Sequence, residues 1–192
     1  MWNIVGSTTT SSATADIGEA MGSHLVHRYS KYTGKDIVPT KTQAAFFRAA
    51  EAISELSDSA RAQIGCVVAL KHRIVSSGYS SGTKCYPIQF GIEVHRFGED
   101  SNHRGKVHAE IRALLPLLKQ HADLSRADVY VVRRRKDGSL AMARPCPGCI
   151  SLLKENGLRR AYFSTNTGFS MQEIEDMEGV ATHTTGGALV EI

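Results

Sequence analysis

His108-Ala109-Glu110 is followed, 35 residues beyond the glutamate, by Pro145-Cys146-Pro147-Gly148-Cys149. The two segments supply one imidazole, two thiols three residues apart, and a carboxylate. Catalytic zinc sites use three protein ligands and leave the fourth position to water, whereas structural sites close all four. His108, Cys146 and Cys149 are therefore the candidate ligands of a Zn2+ ion. An ion held this way lowers the pKa of a bound water to about 7, which makes a nucleophile near neutrality. Glu110, two residues from a ligand, is the candidate catalytic acid/base. It can take a proton from that water and deliver protons to a basic atom beside the attacked carbon and to the leaving group. Five fixed residues rich in cysteine and histidine arise by chance in on the order of one chain in 10⁴ of this size. The competing readings are two core cysteines near an unrelated histidine, or a structural zinc knuckle, which wants a fourth protein ligand and has no use for the glutamate.

These groups need rigid elements to present them. Residues at i and i+3 share one side of a helical turn, so Cys146 and Cys149 suit a helix start. The positive end of that helix favours their thiolate forms. Residues 149–156 read as this short helix, stopped by Gly157. A second helix begins near His108, with Ile111, Leu114, Leu115 and Leu118 on one face, and Pro116 should kink or shorten it. Thr40 or Thr42 can cap a third, KTQAAFFRAAEAISEL, whose apolar residues recur at three- and four-residue steps.

Residues 66–70 and 73–77 read as strands around a tight turn at Lys71-His72. Residues 128–133 form another apolar strand, and the turn signal Lys136-Asp137-Gly138 predicts a hairpin over 128–144. Residues 161–165 read as a further strand and 170–178 as an acidic helix. The Ser/Thr-rich residues 1–15 read as a disordered tail, and 17–29 as loosely helical. One domain would then span 16–192. The irregular stretch 80–106 is long for a compact domain, so it is functional or an insertion. Alternating strands and helices predict an α/β layered fold.

At 192 residues, with 42% hydrophobic and 22% charged residues, the chain suits one ordinary globular core. No apolar run reaches bilayer length, so no membrane partner is expected. The first residues lack the basic segment of a signal peptide. Four cysteines, two of them in a metal-type motif, fit a reducing, cytoplasmic location better than a disulfide scaffold. A net charge of +4 suits anionic substrates without compelling nucleic-acid binding.

Cys66, in an apolar strand, reads as a small core residue. Cys85, His95 and His103 are scattered loop residues or the makings of a second metal site. The run Arg133-Arg134-Arg135-Lys136 is a solvated hairpin tip, or else a grip on a phosphate backbone. Tyr162 and Phe163 are core residues unless they stack on a base.

The segments IGCVVALKHRIVSSGYSSG, VHAEIRAL, VYVV and RPCPGCISLLKENGLRRAYFST together resemble the cytidine/deoxycytidylate deaminase superfamily, over about residues 40–168. The resemblance implies an α/β three-layer sandwich in which a mixed five-stranded sheet is flanked by helices, with zinc held between two helix N-termini. It makes His108, Cys146 and Cys149 the ligands and Glu110 the proton shuttle. The backbone amide of Ala109 would meet the pyrimidine carbonyl. Three positions depart from the family. Ser80 stands where an asparagine commonly binds the sugar, and Arg112 stands where deoxycytidylate enzymes commonly carry asparagine. Arg144 replaces a small residue before Pro-Cys. Ser80 and Arg144 are therefore candidate substrate contacts, and Lys84, Arg96, Arg104 and Lys106 are candidates for a phosphate.

The implied reaction is zinc-dependent hydrolytic deamination of a free pyrimidine nucleotide or nucleoside, first of all dCMP to dUMP plus ammonia, by a homo-oligomer. The alternative is a base deaminase acting on RNA or single-stranded DNA, similar to the tRNA adenosine deaminases. That reading predicts a basic groove with aromatic platforms, which +4 and 7% aromatics favour less. A catalytically silent binding module is the third reading, and it leaves Glu110 without a purpose.

Overall fold

The computed structural model describes residues 34–59, 63–83 and 107–179, all within one compact unit that begins at Gly34. Along the chain run β1 (Lys35–Ile37), α1 (Lys41–Ser54), β2 (Gln63–Leu70), β3 (Arg73–Tyr79) and α2 (Ala109–Lys119). They are followed by β4 (Ala127–Arg134), β5 (Leu140–Ala141), α3 (Pro147–Glu155), β6 (Arg160–Ser164) and β7 (Phe169–Glu173). The tail 1–15, the helix expected over 17–29 and residues 84–106 lie outside the described residues. So do Lys84, Cys85, His95, Arg96, His103, Arg104 and Lys106.

The strands form one mixed sheet in the order β1-β7-β6-β4-β2-β3. β4 and β6 are parallel and the other pairs antiparallel. β5 pairs with the last residues of β4, on Arg133 and Arg134. Among the described residues the expected five strands thus become seven, the additional β1 and β5 being only three and two residues long. The helix expected over 170–178 is corrected: residues 169–173 are β7, paired with β6 on one side and β1 on the other.

The side chains of β2 and β4 alternate between two cores. Val67, Ala69, Tyr130 and Val132 meet Phe46, Phe47 and Ala50 of α1. Cys66, Val68, Val129 and Val131 meet Ala109, Ala113, Leu114 and Leu117 of α2, with Ile150 and Leu153 of α3. Helices therefore cover both faces, which explains why these strands read as unbroken apolar runs. Burying each large side chain contributes about 1.5–3 kcal/mol. Tyr162 and Phe163 both belong to this interior, Tyr162 stacked on Tyr130 at 4.5 Å between centroids.

Local signals hold the elements. Thr40 caps α1 in a reciprocal box, its hydroxyl accepting from Gln43 N and its own N–H donating to Gln43 Oε1. Gly138, at φ 82°, closes the β4–β5 hairpin at the expected turn. Pro116 does not stop α2, which runs on to Lys119. No helix among the described residues is long and apolar enough to cross a membrane.

Candidate active site

The N-terminal residues of α2 and α3 supply the site. The N-cap of α2 is His108 and that of α3 is Cys146; both have extended backbones and neither side chain caps its own helix. α3 begins at Pro147 rather than at Cys149, since proline at the first helical position loses no hydrogen bond. Cys149 is therefore the third residue of the helix, on the same side as Cys146.

The donor atoms of His108, Cys146 and Cys149 all lie within 4.8 Å of one another. His108 Nδ1 is 3.3 Å from Cys149 Sγ and 3.4 Å from Cys146 Sγ. A tetrahedral zinc with ordinary Zn–N and Zn–S bonds sets its nitrogen and sulfur ligands about 3.5 Å apart. The imidazole thus presents Nδ1 to both sulfurs at the spacing this ion requires. No other His, Cys, Asp or Glu among the described residues joins the group. Three donors without a fourth suit an open site, and one neutral imidazole with two thiolates balances the charge of a divalent ion.

Glu110 lies in the first turn of α2, only 7% exposed, where the positive end of the helix favours a carboxylate. It is outside the donor group, two residues along the chain from His108. Burial, and then the Glu110 charge, push the Cys66 thiol well up, so Cys66 stays a protonated core residue beneath the site. Ala109 is completely buried. Its N–H belongs to the first turn, where helical N–H groups have no partner within the helix.

The expected substrate contacts fall less simply. Ser80 is 8% exposed, and its hydroxyl lies 2.8 Å from the Ser57 hydroxyl and accepts from Ile64 N at 3.3 Å. That hydroxyl ties the end of β3 to β2 and to the segment after α1. Arg144 is half-buried, its Nε donating to Gln172 Oε1 of β7 at 3.3 Å. It braces the approach to Cys146. Arg112 lies 3.8 Å above the Tyr79 ring and donates from Nη1 to the Tyr79 carbonyl at 3.4 Å.

Two residues that sequence reasoning missed shape the site. A Cβ on Gly78 would collide with Ala109 O and Ala113 N, so only glycine lets α2 lie this close to β3. Asp58 accepts from Gly82 N, Ser81 Oγ and Thr83 Oγ1, clamping the segment after β3. Ser81 in turn pairs with Val107, the neighbour of His108. An asparagine or aspartate in a turn-forming stretch is an ordinary sight, and nothing local marks which distant loop it holds.

The family model for the cytidine and deoxycytidylate deaminase zinc-binding region matches residues 40–165. The chain belongs to that family. It is 30% identical over 131 residues to a probable deoxycytidylate deaminase of Caenorhabditis elegans, covering 66% of this chain and 58% of the relative. It is 25% identical over 145 residues to an uncharacterized deaminase of Aliivibrio fischeri, covering 72% of this chain and 87% of that one. The chain thus spans under two thirds of the length of the nematode relative. Among solved structures, the dCMP deaminase of cyanophage S-TIM5 in complex with dCMP and dUMP is similar at a TM-score of 0.48. That match has 19% identity and covers 66% of this chain and 83% of the phage one. Zinc, the ion of the family, is the cofactor that the His/Cys/Cys donor set suits.

Proposed function

We propose that this protein catalyses the hydrolytic deamination of a pyrimidine nucleotide, with dCMP to dUMP plus ammonia as the first candidate. The observation that carries the reading is the convergence of His108 Nδ1 with the sulfurs of Cys146 and Cys149, with the buried Glu110 two residues after His108. Zinc, when bound, supplies a Lewis acid and water activated near neutral pH. His108, Cys146 and Cys149 hold it. Glu110 takes a proton from the attacking water and delivers protons to the ring nitrogen and to the departing ammonia. Its burial keeps bulk water from competing for that proton. The Ala109 N–H is available to the pyrimidine carbonyl, and Arg144 stands beside the Pro-Cys turn. The name of the nematode relative supports deoxycytidylate as the first substrate to try.

A free nucleotide is favoured over a polynucleotide because the basic run at the end of β4 is partly occupied. Arg134 pairs with Glu51 and Glu55, and Arg135 bonds to Ser139, Leu140 and Asn166. The test is ammonia release by zinc-loaded protein from dCMP, deoxycytidine, cytidine and deoxycytidine-containing oligonucleotides. Turnover of dCMP supports the proposal, whereas turnover of oligonucleotides alone ends it.

A further inference from the structure

Three arginines follow one another at the end of β4, in three different environments. Arg134 lies on the α1 side, with Nε 3.5 Å from Glu51 and Nη1 3.2 Å from Glu55. Arg135, at the hairpin, donates to Ser139 Oγ, Leu140 O and Asn166 Oδ1. Arg133 is different. Val129 and Val131 point into the α2/α3 layer, while Tyr130 and Val132 point to α1. Successive strand residues alternate faces, so Arg133 belongs to the α2/α3 side.

Its cross-strand neighbours are Ile64 of β2, which packs into that same layer, and Ala141 of β5. Both are apolar. Arg133 Nε is buried without a hydrogen-bond partner, and no carboxylate among the described residues forms an ion pair with the side chain. Arg133 is thus half-buried, with its Nε out of solvent.

The same face carries the site. One rung inward, Val131 pairs with Cys66, and Cys66 with Gly78, on which the first turn of α2 rests. Rungs on one face are about 7 Å apart, a span an arginine side chain covers. A guanidinium with a buried nitrogen left without a hydrogen-bond partner is costly. Its planar donors match a phosphate better than any other common anion.

We infer that Arg133 recognises the 5′-phosphate of a free pyrimidine nucleotide and so separates nucleotide from nucleoside at this site. The inference rests on the deaminase reading above and adds the residue that reads the phosphate.

The test compares the zinc-loaded protein of all 192 residues with Arg133→Gln and Arg133→Lys. For Arg133→Gln, kcat/KM on dCMP falls roughly 10- to 100-fold, the worth of hydrogen bonds to a charged group. The fall on deoxycytidine is much smaller, and zinc content is unchanged. Arg133→Lys keeps part of the preference, as a point charge without the planar fork. Equal losses on both substrates, or an intact preference for dCMP, overturn the inference. Loss confined to a deoxycytidine-containing oligonucleotide overturns it in favour of a polynucleotide backbone.

A second readout does not need turnover. dUMP and inorganic phosphate raise the melting temperature of the parent protein by binding the native state, and deoxyuridine does so less. In Arg133→Gln the phosphate-dependent part of that rise disappears. If the parent releases no ammonia from dCMP or deoxycytidine, the deaminase reading fails for those substrates. The thermal shifts then still decide: equal shifts in parent and variant end the phosphate assignment, and a lost shift sustains it.

Discussion

Gly78 lies directly beneath Ala109: a Cβ there would run into the Ala109 carbonyl oxygen and the Ala113 amide. The contact is backbone on backbone, so no side chain can swing away to relieve it. Gly78→Ala is expected to lift the first turn of α2, which carries Glu110 and follows His108, off β3. Overpacking of this kind costs about 1–3 kcal/mol. The expected outcome is a lower denaturation midpoint together with substoichiometric zinc. Gly82→Ala is the control, since nothing lies within 4 Å of its added Cβ, and it should stay within about 0.5 kcal/mol of the parent. Full zinc occupancy and parental stability in Gly78→Ala would show that the helix yields without cost.

Metal retention and turnover separate in the next prediction. Replacing Cys146, Cys149 or His108 removes one of three donors, and zinc measured on purified protein should drop well below one per chain. Glu110→Gln keeps the shape and the donor set, so zinc should stay near one per chain. Turnover should fall by roughly 10²–10⁴, the usual contribution of a positioned acid/base group. Loss of zinc from Glu110→Gln would make the carboxylate a metal-holding group and sink the proton-shuttle role.

The reach of the sequence follows the range of each interaction. His108, Cys146 and Cys149 could be picked out because metal chemistry restricts both residue type and spacing, and the donors do converge. The cap at Thr40 and the turn at Gly138 were legible because each acts within four residues. β7 was misread for the opposite reason. Met171, Ile174 and Met177 recur every third residue and imitate a helix face. Pairing with β6 and β1 decides otherwise, and the local sequence does not contain it. β1 is only three residues long and is defined by its pairing with β7. The hydrogen bonds of Ser80 to Ser57 and Ile64 are of the same kind, made across the fold and unmarked in the local sequence.

Ser164 splices three strands. Its hydroxyl donates to Ala141 O at 2.7 Å and accepts from Arg133 N at 3.0 Å, with no solvent exposure. Its carbonyl also accepts from Ala143 N at 2.9 Å, on the approach to Pro145-Cys146. Ser164→Ala leaves two backbone groups without that partner, at about 1–3 kcal/mol for each left unsatisfied. Urea unfolding should show the loss, with a weaker grip on zinc in a chelator competition. An unchanged midpoint would mean that water replaces the hydroxyl in full.

Asp58 gives the pH prediction. Hydrogen bonds from Thr83 and Gly82, and then from Ser81, hold its carboxyl below the usual 3.8 against an opposing effect of desolvation. A carboxylate depressed in the folded state binds fewer protons there than in the unfolded chain, so stability falls as acid is added. The contribution is complete above about pH 5. It shrinks as pH passes below 3.8 and is gone once the folded-state carboxyl is itself protonated. Asp58→Asn should therefore be less stable than the parent at pH 7 and at pH 5 by the same margin, and the margin should narrow towards pH 3. Taking the difference between the two proteins cancels Asp123 and Asp137, whose carboxyls are also held low by hydrogen bonds. The segment Asp58 clamps pairs through Ser81 with Val107, beside His108. The variant should accordingly raise KM for the substrate at neutral pH more than it lowers kcat. A margin that stays constant from pH 7 to pH 3 would show that the charge on Asp58 is not what holds the loop.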